Sequence, residues 1–271
     1  MEATSFIILI FFGMLGGFLS GLLGVGGGII FIPIISFFIR PFDLEAQEYV
    51  RYLLANSFAT IFFAGVISTY KQYRIQQFYP KQILITASLA VVSSTVVTYL
   101  ITAQSWYSKR AFSIVFLALL VFTVFRFVYK KPSHTNKVKE TPSIKYLITG
   151  FLTGIVTSLS GLGGGVIMIP LFNQYIKIDM KSSSAISIGV IPLILIPVLV
   201  TYLISSPLQL VQETQMGYIL PELFLPMVAG LLFAAPIGVA SAQKTSDKVL
   251  KIIFASLVII VIINTIVSIV K

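Results

Sequence analysis

The 271-residue chain is 57% hydrophobic and only 10% charged, against the roughly 25% charged residues of a water-soluble domain, so a soluble globular fold is excluded. Its net charge of +10 does not mark a nucleic-acid binder, because the 19 Lys and Arg residues fall between apolar runs rather than in one stripe interleaved with aromatics. With no cysteine and a single histidine, His134, in a polar stretch, the chain offers neither disulfides nor a Cys- or His-based metal cluster.

The first apolar run, 5–38, carries no formal charge and is too long for one span of about 20 residues. Its middle contains three adjacent glycines, Gly26, Gly27 and Gly28, each costing about 1 kcal/mol of helix propensity. Two half-helices joined near residues 24–28 are therefore expected, and not a cleaved signal peptide. Apolar spans follow at 52–70, 82–102 and 111–129. A basic, polar linker covers 130–143. A second glycine-rich run, 144–175, then leads three more spans, 184–204, 217–242 and 249–270.

The two halves repeat each other. Residues 13–33, GMLGGFLSGLLGVGGGIIFIP, align with 150–170, GFLTGIVTSLSGLGGGVIMIP. Six glycines, one proline (Pro33 with Pro170) and a hydroxyl (Ser20 with Thr157) fall in one register, while Gly16 faces Thr153 and Gly21 faces Ser158. Such self-similarity at a fixed offset is the signature of an internal repeat. The reading is an all-α polytopic membrane protein with repeats at 1–129 and 144–271. If each glycine-rich run enters and leaves on one side, 14 of the 19 basic residues share a side. If each crosses once, the split is nearly even. The positive-inside rule then favours two re-entrant segments, six full spans, inverted repeats, a cytoplasmic linker and external termini.

A helix break at membrane depth is tolerated where it faces protein or a wet cavity. The N–H groups after each break, around residues 27–30 and 164–167, and the half-helix dipoles favour an anion, as in the midplane sites of secondary transporters. The candidate substrate-binding residues are Gly26, Gly27, Gly28, Gly163, Gly164 and Gly165 at the breaks, with Ser160 beside them. Asn56, Ser57, Ser184 and Ser187, near the starts of the following spans, complete the set. The alternative for the glycines is close helix packing, and for the hydroxyls and Asn56 interhelical hydrogen bonding. Glu222 and Gln243 are candidates for ion coupling. Arg74, Lys81, Lys109, Arg110, Lys248 and Lys251 lie near span ends, where snorkelling or topology marking accounts for them, the mouth of an anion route being the alternative. No Gly-Lys-Ser/Thr follows the glycines, so a nucleotide loop is excluded, and no nucleophile–base pair points to an enzyme.

The doubled motif, with the tail GYILPELFLPMVAGLLFAAPIGVASAQKTSDKVLKIIFA at 217–255, resembles the sulfite exporter TauE/SafE family over nearly the whole chain. The resemblance implies a secondary carrier in a bacterial inner membrane, without cofactor, for sulfite, thiosulfate, sulfoacetate or a related organosulfonate. The family's paired motifs correspond to Gly24, Gly26, Gly27 and Gly28 and to Gly161, Gly163, Gly164 and Gly165. Where the family often has a Thr-Ser pair, this chain has Asn56 and Ser57. The implied partners are the small anion, a coupled proton or other ion and the lipid bilayer, with a homodimer as a candidate assembly. An anion channel and a structural membrane subunit are the competing readings.

Overall fold

A computed structural model describes residues 3–104, 106–129, 138 and 142–270, apart from the side chains of 124, 126–129 and 264–270. The linker at 130–143 lies almost wholly outside the described residues, and so does His134. Helix α1 (Ala3–Leu23) is followed by α2 (Gly28–Ile39) and one 3-10 turn, Arg40–Phe42. Then come α3 (Ala46–Arg74), α4 (Pro80–Ala103) and α5 (Lys109–Tyr129). The second half has α6 (Ser143–Ser160), α7 (Gly165–Pro170) running into a π-helical turn at Leu171–Ile176, α8 (Met180–Ile204), α9 (Pro221–Lys244) and α10 (Asp247–Val270). Among the described residues α1, α3, α4, α8 and α9 are long and apolar enough to cross a membrane, and the fold is that of an all-α polytopic membrane protein. Pro80 and Pro221 start their helices at the position where a missing N–H costs nothing. Asp179 caps α8 by accepting the Ser182 N–H at 2.8 Å.

Small residues set which helices touch. Gly13, Gly17 and Gly21 of α1 lie against Met227, Leu231 and Ala235 of α9, and Gly230 and Gly238 of α9 lie against Ile10 and Phe18. A methyl group at Gly17 would stand 2.6 Å from Leu231 Cβ. The contacts rise together in both chains of numbers, so α1 and α9 are parallel, joined by a small-residue seam. The seam between α6 and α4 has the same form. Gly150 meets Thr86, Gly154 meets Ala90, and Ser158 Oγ donates to the Ser94 carbonyl at 2.9 Å.

The other directions follow from paired contacts. Helix α3 is antiparallel to α8: Thr69 Oγ1 donates to the Ile188 carbonyl (3.1 Å), Gly65 meets Pro192 and Phe58 meets Tyr202. It is parallel to α9, with Asn56 bonded to Leu220 and Phe63 stacked on Phe224. Helices α4 and α8 are parallel through Tyr79 with Ser182 and Ile83 with Gly189. Helix α5 packs on α10. Thus α1, α3 and α9 run one way and α4, α6 and α8 the other. Between α1 and α3 the chain doubles back: Phe31 of α2 lies over Gly16 of α1, residues that a continuous helix would hold about 22 Å apart.

Candidate functional site

Both glycine-rich breaks take one backbone form. Gly24, Gly26 and Gly27 have φ of 78°, 80° and 79°, and Gly161, Gly163 and Gly164 have 70°, 71° and 81°. This left-handed region is cheap only for glycine. Gly28 and Gly165 are already helical and are needed for a different reason. A methyl group at Gly28 would stand 2.8 Å from Leu162 Cα, and one at Gly165 would stand 2.5 Å from both the Gly24 carbonyl and Val25 Cα. The two breaks therefore cross in direct backbone contact, and close packing accounts for these two glycines. Residues 20–32 and 160–170 are buried throughout, so in this conformation the crossing is closed to solvent.

The crossing gathers unpaired donors. Ile30 and Phe31 donate to the Gly27 carbonyl, and Ile167 and Met168 to that of Gly164. The expected free donors at 30 and 167 are thereby used up, bonded within the first turn of each half-helix. Earlier in the chain the picture differs. Among the described residues no acceptor meets the N–H of Gly26, Gly27, Gly28 or Ile29, or that of Gly163, Gly164, Gly165 or Val166. A buried N–H without a partner is costly. These donors sit at the positive ends of α2 and α7, and successive amides around left-handed glycines form the kind of concavity that takes an anion.

The expected side chains divide by position. Ser57 Oγ donates to the Gly161 carbonyl (2.9 Å) and Ser187 Oγ to the Gly24 carbonyl (2.9 Å), so each half's long helix fastens the other half's break. Ser184 Oγ lies against Gly24, is buried and has no hydrogen-bond partner. Ser160 Oγ donates to the Val156 carbonyl (2.7 Å) and accepts from the Leu162 N–H (3.3 Å), closing α6 at the break. Asn56 is engaged elsewhere. Its Nδ2 donates to the carbonyls of Tyr52 and Tyr218, and its Oδ1 accepts from the Leu220 N–H at 2.7 Å, which anchors the start of α9. Glu222 is half-buried in the first turn of α9, 3.3 Å from Gln212 Nε2. Gln243 lies about 31 Å along the same helix, where its carbonyl accepts from Lys181 Nζ (2.7 Å). The structure does not bring Asn56, Glu222 and Gln243 together at the breaks.

A buried polar cluster escaped the sequence reading. Helix α3 starts at Ala46, six residues before the expected span at 52, and carries Glu48 and Arg51 inside the fold. Glu48 is fully buried. Its carboxylate accepts from Arg51 Nη1 (2.9 Å), the Tyr218 hydroxyl (2.8 Å) and the Leu208 N–H (2.9 Å). Arg51 also donates to the carbonyls of Ile101 and Gln104. Burial pushes the phenol of Tyr218, which lies in the loop before α9, up to about 12, so it remains a donor at neutral pH. The signal was an acid and a base three apart, the spacing of neighbours on one helix face.

With this geometry in place, comparison with known proteins is specific about the family. Residues 9–265 match the family described as sulfite exporter TauE/SafE. A protein of Methanocaldococcus jannaschii described as a probable membrane transporter is 27% identical over 92% of this chain and 91% of its own length. A Haemophilus influenzae protein with the same description is 25% identical over 96% of this chain and 98% of its own. Bacillus subtilis YunE, also so described, is 22% identical over 95% and 96%. No solved structure gives a significant match. The chain belongs to the sulfite exporter TauE/SafE family and is a multi-pass membrane transporter, not an enzyme.

Proposed function

We propose that the chain is a secondary transporter for a small sulfur-containing anion, of the class of sulfite, thiosulfate, sulfoacetate and related organosulfonates, bound where the two breaks cross. The observation that carries the reading is the set of buried, unpartnered N–H groups from Gly26 to Ile29 and from Gly163 to Val166. A sulfonate or sulfite presents several oxygens on one centre, and donors converging from two half-helix ends suit that shape. Ser184 adds a hydroxyl with no other bond to keep, while Ser57, Ser187 and Ser160 hold the backbone in place. The description of the matched family, a sulfite exporter, supports the substrate class.

The architecture that goes with this is two inverted repeats, 1–129 and 144–271, each a re-entrant hairpin followed by three spans. Three observations support it. Helices α3 and α8 are antiparallel, although a single crossing by α6 and α7 would make them parallel. Helix α2 lies back over α1. Ser57 and Ser187 make reciprocal bonds to equivalent glycines. Transport then requires the crossed breaks to part toward one side at a time, in a cell membrane with the linker inside.

The test is uptake of labelled sulfite, thiosulfate, sulfoacetate and taurine into proteoliposomes, with and without a pH gradient. Saturable uptake of one sulfur anion is expected, and Ser184→Ala should raise its KM severalfold while the protein stays folded. No uptake of any of them by correctly inserted protein would sink the substrate class, and unsaturable flux would replace the carrier with a channel.

A further inference from the structure

Two cavities lie away from the breaks, side by side on the outer surface of the α3–α4 hairpin. One, of about 460 Å³, is almost wholly apolar, walled by Val66 of α3, Ile83 and Leu84 of α4, and Pro192 and Leu193 of α8. The other, also about 460 Å³, is of mixed character and is lined by Tyr73, Arg74 and Gln76. Phe78 and Pro80 line both. The two chambers therefore form one groove that changes in chemistry along its length: an apolar trough along the spans and a head of mixed, more polar lining at their end. Val66, Tyr70 and Leu84 are exposed, so the trough opens to the bilayer and not to the interior.

The head is basic. Arg74 and Lys81 are exposed at this end of the hairpin, with Lys71 one turn back on α3. No ion pair involving Arg74 occurs among the described residues. Tyr70 and Tyr73, both exposed, stand at the same level, where amphipathic rings anchor a protein to the headgroup layer. A cationic, aromatic rim above an apolar trough is complementary to one kind of molecule, a lipid with a negative headgroup. The combined size fits the ~300–1,000 Å³ of small-molecule sites.

We infer that this groove binds an anionic glycerophospholipid, with an acyl chain in the α3–α4–α8 trough and the phosphate at Arg74 and Lys81. The site is built into the fold, because its floor is the contact between α3 and α8. Pro192 packs on Gly65, with a methyl there 2.9 Å from Pro192 Cγ, and the adjacent Ile191 reaches to 3.1 Å of a methyl at Gly26. A bound chain thus rests one residue from the first break.

The experiment is native mass spectrometry of the detergent-purified chain with phosphatidylglycerol or phosphatidylcholine. Phosphatidylglycerol should be retained at least fivefold more. The pair Arg74→Gln and Lys81→Gln should abolish that preference, each charge being worth about fivefold. Val66→Trp, a surface change, should reduce retention of both lipids. Equal retention of the two lipids by the unaltered chain overturns the inference, as does retention unmoved by either variant. Soluble glycerol phosphate supplies the remaining arm. If it binds with the same Arg74 dependence and Val66→Trp has no effect, the groove holds a free anion and the lipid assignment fails.

Discussion

Gly27 and Gly164 exclude a side chain on two counts. Each has a left-handed φ, and a methyl group would stand 2.7 Å from Phe31 Cε2 at Gly27 and 2.5 Å from Thr157 Oγ1 at Gly164. Gly27→Ala should therefore lower stability by about 2 kcal/mol or more, the sum of backbone strain and overpacking, read as a fall in melting temperature in detergent. Ser184→Ala removes a hydroxyl that bonds to nothing in this state, so its melting temperature should be unchanged while transport suffers. Asn56→Ala leaves the Leu220 N–H buried without a partner, a cost of about 1–3 kcal/mol, and should weaken the fold rather than act on KM alone. The glycines were legible because only glycine serves there. The use of Asn56 was not, because its three partners lie four residues before it and more than 160 residues after it.

At the scale of the helix, the sequence located both breaks and the three long helices after each, because charge and glycine punctuate them. It placed the start of α3 six residues late, since Glu48 and Arg51 look like a charged loop when no partner is in view. Buried together, they neutralise each other and bind Tyr218 and the end of α4. Arg51→Met alone leaves a carboxylate with no cation, and should cost about 3–5 kcal/mol. Adding Glu48→Gln should recover part of that loss. If the single variant melts with the unaltered protein, the pair contributes nothing to stability. The π-helical turn at Leu171–Ile176 had no sequence signature, and it makes α7 the shorter of the two returning half-helices.

Over the whole molecule, hydropathy and charge were enough to name the class, and the doubled motif was enough to name the family. Which surfaces join the halves was not legible, because each half's seam is complementary to the other and carries no mark of its partner. Helix α1 lies on α9, α6 on α4, and each break is fastened from the opposite half. The halves should thus be inseparable. Residues 1–137 and 138–271 expressed singly should be degraded, and co-expressed they should restore a complex that co-purifies. Recovery of either half alone, folded and monomeric, would contradict this.

The seam between α1 and α9 also has a consequence for how the chain is made. Helix α1 leaves the ribosome long before α9, yet the residues that cover Gly13, Gly17 and Gly21, Met227, Leu231 and Ala235, all belong to α9. During synthesis its glycine ridge stays open until α9 has entered the bilayer, and it must wait beside the insertion machinery or in lipid. Biogenesis therefore sets a clock: a pause in translation after α8 prolongs the exposure of that glycine ridge, and any membrane chaperone that guards this transporter would act on α1.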